Sequence, residues 1–143
     1  VRVSIFVSGC DRHCEGCFNP ETWDYNYGKD FTYDIISEII EAMKPDYISG
    51  LTILGGEPLV VQNYPWVCWL CMRVRSAYPN KTIWLYTGYT FEEISGLGIC
   101  DYIDVVVDGP FIESQKDLSL EYRGSRNQRI IDVKKWRFEK GVE

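Results

Sequence analysis

No apolar run in this 143-residue chain is long enough to span a bilayer, and no signal-peptide-like hydrophobic region opens it. Secretion and a helical membrane anchor are therefore not expected, and a reduced cytoplasm is the expected location. Basic residues are in the minority, 15 against 21 acidic, giving a formal net charge of -6. That balance leaves no basic footprint for nucleic acid or an anionic lipid surface. There is one histidine, no internal repeat and no low-complexity segment. With 45% hydrophobic and 15% aromatic residues, the chain can bury one sizeable core and not two, so residues 1–143 read as a single domain. Val1 stands where a start methionine would, inside strand-like sequence, and a short missing N-terminal segment is expected.

Cysteine is what the chain does have. Cys10, Cys14 and Cys17 follow an apolar run in the spacing C-x3-C-x2-C. Three close thiolates can hold three corners of a [4Fe-4S] cluster and leave the fourth iron open to a small molecule. Two other readings stay open. A structural zinc site would want a fourth ligand and usually C-x2-C pairs. A disulfide framework would suit a secreted chain, which the missing leader argues against.

The hydrophobic period alternates between strand and helix. Arg2–Ser8 reads as a first strand, and Thr32 caps a helix to Lys44 with Ile35, Ile36, Ile39, Ile40 and Met43 on one face, a Phe31–Ile36 staple and Pro45 as its stop. Leu51–Leu54 predicts a strand, Pro65–Ala77 a helix and Thr82–Tyr86 a strand. Thr90-Phe91-Glu92-Glu93 is a capping box opening a short helix, with Tyr89 and Ile94 as its staple, and Tyr102–Val107 predicts the next strand. Asp108–Gln128 reads as a long loop, and Arg129–Phe138 as a last strand. The alternation argues for an α/β fold with a mainly parallel sheet covered by helices. In such a sheet Cys10, Gly55-Gly56-Glu57-Pro58, Thr87-Gly88-Tyr89 and Asp108-Gly109-Pro110 all fall at strand carboxyl ends, the edge where loops build active sites. Each glycine pair taken singly could equally be a plain turn.

Several blocks together resemble the radical S-adenosylmethionine superfamily, in its subgroup of activators of the anaerobic ribonucleoside-triphosphate reductase. They are Phe6-Val7-Ser8-Gly9-Cys10, the cysteine triplet, Cys17-Phe18-Asn19 with Thr22-Trp23, Gly55-Gly56-Glu57-Pro58-Leu59 with Gln62-Asn63, Ile83-Trp84-Leu85-Tyr86-Thr87-Gly88-Tyr89, Val107-Asp108-Gly109, and Arg123-Gly124-Ser125 with Asn127-Gln128. The resemblance implies a partial, open β/α barrel of the radical S-adenosylmethionine type. It implies cluster ligands at Cys10, Cys14 and Cys17, and S-adenosylmethionine contacts at Gly16, Cys17, Phe18 and Gly56, with Gly55, Glu57 and Thr87 as further candidates. The implied activity is that of an oxidoreductase similar to the activators of formate C-acetyltransferase. It would cleave S-adenosylmethionine reductively to a 5′-deoxyadenosyl radical and generate a glycyl radical on the reductase. The reductase is the implied partner, with reduced flavodoxin or a similar protein as electron donor. The pattern is not uniform: Gly16 stands where the wider superfamily has an aromatic residue, Glu57 where the subgroup often has Asp, and Tyr122 where it often has Trp. A Gly-Pro-Gly segment ahead of the first strand is missing.

Other residues have plainer readings. Cys68 and Cys71 lie three apart on a predicted helix, where buried thiols act as small hydrophobes, and Cys100 reads the same way. His13 sits in the cysteine loop, where it either donates to a cluster sulfide or faces solvent. Arg123 and Arg126 flank a glycine turn, either to steer an acidic group or simply as a solvated loop. Trp84, Tyr86 and Tyr89 read as core and pocket wall. Against the radical activase stand a small radical enzyme acting on a metabolite and a non-catalytic zinc module using the triplet with His13 or Cys68.

Overall fold

A computed structural model describes residues 1–8 and 32–141 of the chain. Five strands form one sheet in sequence order: β1 (Arg2–Val7), β2 (Gly50–Gly55), β3 (Thr82–Tyr86), β4 (Val105–Asp108) and β5 (Arg129–Asp132). Strands β1 to β4 are parallel, whereas β5 returns antiparallel to β4. Among the described residues the sheet is open, with β1 and β5 at its edges. Helices α1 (Tyr33–Ala42), α2 (Tyr64–Ala77), α3 (Phe91–Ile94) and α4 (Val133–Gly141) connect or follow the strands.

Each parallel strand lies beside its predecessor. Right-handed crossovers in that order put the helices on one face. The register explains why that face is apolar: Ile5 pairs with Ile53, Ile53 with Leu85, Leu85 with Val106 and Val106 with Ile131. Ile36, Ile39 and Met43 of the α1 stripe and Val67, Leu70, Cys71 and Val74 of α2 bury against this row. Each such side chain contributes about 1.5–3 kcal/mol on burial. The opposite face carries Ser4, Thr52, Trp84 and Val105 in one row, and its Phe6 is 61% exposed. No described helix covers that face, because alternate strand residues point away from the crossovers.

The helix signals act as read. Thr32 accepts from Ile35 N at 3.4 Å, and the Lys81 ammonium donates to the Met43 and Pro45 carbonyls at the far end of α1. Glu93 Oε1 reaches back to Thr90 N at 2.9 Å, closing the box at α3, with Ile94 buried and Tyr89 packed on the core. The staple partner Phe31 lies outside the described residues.

Three boundaries differ from expectation. The fourth strand begins at Val105 rather than Tyr102, after a 3-10 turn at Gly98–Asp101. Arg75 holds the Tyr102 carbonyl at 2.7 Å and Asp104 at 2.5 Å, so this stretch serves as an anchor before the ladder starts. The last predicted strand stops at Asp132, whose carboxylate accepts from Lys135 N at 2.8 Å and caps α4. The loop after β4 is partly ordered by a 3-10 turn at Glu113–Gln115 and a bridge between Lys116 and Ser125.

Candidate functional site

Because β1 to β4 run parallel, their carboxyl ends share one edge. Cys10, Cys14, Cys17, Gly16, Phe18 and His13 lie outside the described residues. The chain leaves that edge at Ser8, and Cys10 follows two residues later.

The remaining turns are stitched into a continuous belt. Gly56 N donates to Val7 O at 2.7 Å. Gly55 has φ +109, and a Cβ there would lie 2.5 Å from Val7 O, so close approach of β1 demands glycine. Asn63 stands at the N-cap of α2 without a side-chain capping bond, and its amide NH2 donates to Ser8 O at 2.9 Å and Glu57 O at 3.0 Å.

Glu57 is 2% exposed. Its Oε1 accepts from Gly88 N at 2.7 Å, and its Oε2 from Thr87 Oγ1 at 2.7 Å and Leu59 N at 3.1 Å. Thr87 in turn accepts from Tyr89 N at 3.1 Å, and its own N–H donates to Val107 O at 3.0 Å. Gly109 N then donates to Tyr89 O at 2.8 Å, and Gln128 Nε2 to Gly109 O at 3.0 Å. The structure thus brings together Gly55, Gly56, Glu57 and Thr87, four of the residues singled out from sequence.

At the end of β4 the buried Asp108 accepts from Phe91 N at 2.7 Å and from Arg129 at 2.5 Å. Hydrogen bonds to Asp108 and then Glu92 push the Arg129 pKa up, so the guanidinium stays charged. Asn63, Asp108 and Arg129 were not picked out individually as site residues by sequence reasoning. Asp108 had a visible signal, a carboxylate at a strand end before glycine; the role of Asn63 had none.

The helix-free face of the sheet forms a wall beside this edge. Trp84 packs edge-on against Tyr122 with centroids 5.1 Å apart, and Tyr122 takes the left-handed backbone conformation, φ 63. Burial pushes the Tyr86 hydroxyl pKa up. Arg2, whose charged form is disfavoured mainly by burial, lies with its guanidinium 5.6 Å from the Trp84 ring centre. Arg123 donates to Gln128 O at 3.0 Å, which makes it part of the loop's own bracing. Cys71 and Cys100 are buried free thiols and Cys68 is half-buried, as small core hydrophobes would be. Among the described residues no three His, Cys, Asp or Glu side chains gather as a metal site, and no helix is long and apolar enough to cross a membrane.

A family profile described as a 4Fe-4S single cluster domain matches residues 1–131, a span that includes the cysteine triplet. The chain is thus an iron–sulfur domain protein built on an open, mainly parallel α/β sheet. It is 42% identical over 129 residues to the anaerobic ribonucleoside-triphosphate reductase-activating protein of Enterobacteria phage T4, covering 90% of this chain and 82% of that one. The proteins of the same name from Vibrio cholerae and Escherichia coli K12 are 44% and 41% identical over 133 residues, each match covering 90% of this chain and 86% of the relative. The chain belongs to the family of anaerobic ribonucleoside-triphosphate reductase-activating proteins. No solved structure matches it.

Proposed function

We propose that this chain is an iron–sulfur activase that uses S-adenosylmethionine to generate the glycyl radical of an anaerobic ribonucleoside-triphosphate reductase. The observation that carries the reading is convergence: the described chain reaches Ser8, two residues before Cys10, on the edge on which the turns of Gly55, Gly56, Glu57 and Thr87 meet.

The donor set suits a [4Fe-4S] cluster, since three thiolates would ligate three of its irons and Cys71 and Cys100, buried in the core, are poor candidates for a fourth ligand. Cys10, Cys14 and Cys17 would hold the cluster. Gly16, Cys17, Phe18, Gly55 and Gly56 would receive S-adenosylmethionine, with Glu57 and Thr87 beside them. When bound, the two groups supply one-electron cleavage of S-adenosylmethionine and a 5′-deoxyadenosyl radical able to take hydrogen from a glycine Cα. The chain's own residues orient and enclose. The bare backbone at Gly55 lets β1 close against this turn, and Trp84, Tyr86 and Tyr122 offer an apolar wall that limits water. The open sheet, read as a partial β/α barrel of the radical S-adenosylmethionine type in a single domain, leaves room for a protruding peptide of the reductase. A soluble cytoplasmic setting with a flavodoxin-like electron donor fits this chemistry.

The test is anaerobic reconstitution with iron and sulfide, followed by reductant, S-adenosylmethionine and the cognate reductase. A brown protein, 5′-deoxyadenosine and an EPR doublet from one α-hydrogen on the reductase are expected. A colourless protein binding one zinc would overturn the reading. 5′-Deoxyadenosine without a reductase radical would leave the radical chemistry and remove the partner.

A further inference from the structure

We infer that Glu57 is a positioning residue, a carboxylate clamp that sets the gap between the β2 and β3 turns and thereby shapes the S-adenosylmethionine site without touching the ligand. The inference rests on the function proposed above.

The sheet shows why a clamp is needed. The β1–β2 ladder continues to the pair Val7 and Gly55, whereas the β2–β3 ladder ends two rungs earlier, at Ile53 and Leu85. Beyond Leu85 the carboxyl ends of β2 and β3 have no ladder of their own, just where the Gly55-Gly56 and Thr87-Gly88 turns face one another. Glu57 spans that opening. Its main-chain carbonyl is held by Asn63, which also holds Ser8, and its carboxylate is held by Thr87 and Gly88. Glu57 and Asn63 together therefore join the ends of three strands.

The chemistry favours a carboxylate there and argues against its being a ligand contact. A charge buried to 2% exposure is costly unless hydrogen bonds replace its water. Among the described residues, Leu59 N, Thr87 Oγ1 and Gly88 N all donate to the Glu57 carboxylate. They already engage most of the about four acceptor positions a carboxylate offers. Thr87 accepts from Tyr89 N, so its single hydroxyl proton is left for Glu57. An incoming ammonium would have to compete with donors already in place.

The variants follow from this geometry. Glu57→Gln keeps the shape but turns one oxygen into an NH2 group, which then faces either Gly88 N–H or Leu59 N–H, donor against donor. Thr87→Val removes the hydroxyl donor, and Thr87→Ser keeps it. On reconstituted protein, Glu57→Gln and Thr87→Val are expected to stay folded and keep iron content close to wild type, with a melting temperature lowered by the loss of a donor to a buried carboxylate. Both should bind S-adenosylmethionine roughly tenfold more weakly, the usual scale for losing a supporting partner. Binding is read from the change in the reduced cluster's EPR signal. In turnover, KM for S-adenosylmethionine should rise more than kcat falls. Thr87→Ser should bind within about twofold of wild type, and the double variant should lose no more than the worse single one, as expected of a coupled pair.

Weak binding in Glu57→Gln with normal binding in Thr87→Val would overturn the clamp in favour of a direct contact. Normal binding in both would overturn it outright. Should Glu57→Gln fail to fold, Thr87→Val and its Ser rescue decide alone. A wild-type protein whose EPR signal ignores S-adenosylmethionine would sink the proposed function instead, a result separate from any difference among the variants.

Discussion

The Arg129 guanidinium meets the Asp108 carboxylate at 2.5 Å, across the antiparallel β4–β5 pair, with the Asp108 side chain 1% exposed and Arg129 48% exposed. Asp108 also accepts from Arg129 N and from Phe91 N, so one buried carboxylate fastens β5 to β4 and aligns the start of α3. Glu92 holds the outer side of the same guanidinium at 2.7 Å.

Removing the arginine should therefore cost stability out of proportion to its exposure. Arg129→Ala is expected to destabilise by about 2 kcal/mol, mostly because Asp108 is left buried with fewer donors. Glu92→Ala, which touches only the exposed side, should cost under about 1 kcal/mol. Denaturant midpoints at equal m-values check both, and equal losses would contradict the argument.

Two glycines give a matched contrast. Gly55→Ala forces a Cβ to 2.5 Å from Val7 O at φ +109, whereas Gly96 has nothing within 4 Å. The first should cost about 1–3 kcal/mol and loosen β1, and the second should stay within about 0.5 kcal/mol of wild type. Melting temperatures of the two variants measure this directly.

Burial pushes the Cys100 thiol up to about 11, and burial raises Cys71 further. Both raised values mean that the neutral thiol is favoured in the fold. The stability they lend is complete below the unfolded-state value of about 8.5 and is lost as pH rises toward and through the folded value. Melting temperature should fall between about pH 8.5 and 11, and Cys71→Ala, Cys100→Ala should flatten that fall. In native protein at pH 8 neither thiol should alkylate at a measurable rate, which peptide mapping after iodoacetamide would show.

The cysteine triplet makes the most direct test of the cofactor. Cys10→Ala, Cys14→Ala or Cys17→Ala is expected to abolish cluster assembly, because two thiolates cannot hold the cube with a single open iron. Cys68→Ala should leave iron content unchanged, since Cys68 is a half-buried thiol packed against the core. Iron and sulfide analysis after reconstitution distinguishes the two sets. Gly56→Val should keep iron yet weaken S-adenosylmethionine binding by crowding the turn.

What the sequence determined by itself was local or periodic. The Thr90–Glu93 box, the Thr32 cap and the short apolar runs around Ile5, Ile53 and Leu85 work within a few residues, so their physics is complete in a short window. The C-x3-C-x2-C spacing belongs to the same kind, because thiolates that close need no fold to be read as a ligand set. Tertiary structure decided everything that depends on partners far along the chain. Asp104 takes Ile83 N and Arg75, which is why β4 starts late. The Asn63 amide donates to Ser8 and Glu57. Glu57 stands in sequence as a further candidate contact implied by the resemblance, and the clamp proposed for it depends on folding, which brings the Thr87 hydroxyl, thirty positions away, to 2.7 Å from a carboxylate only 2% exposed.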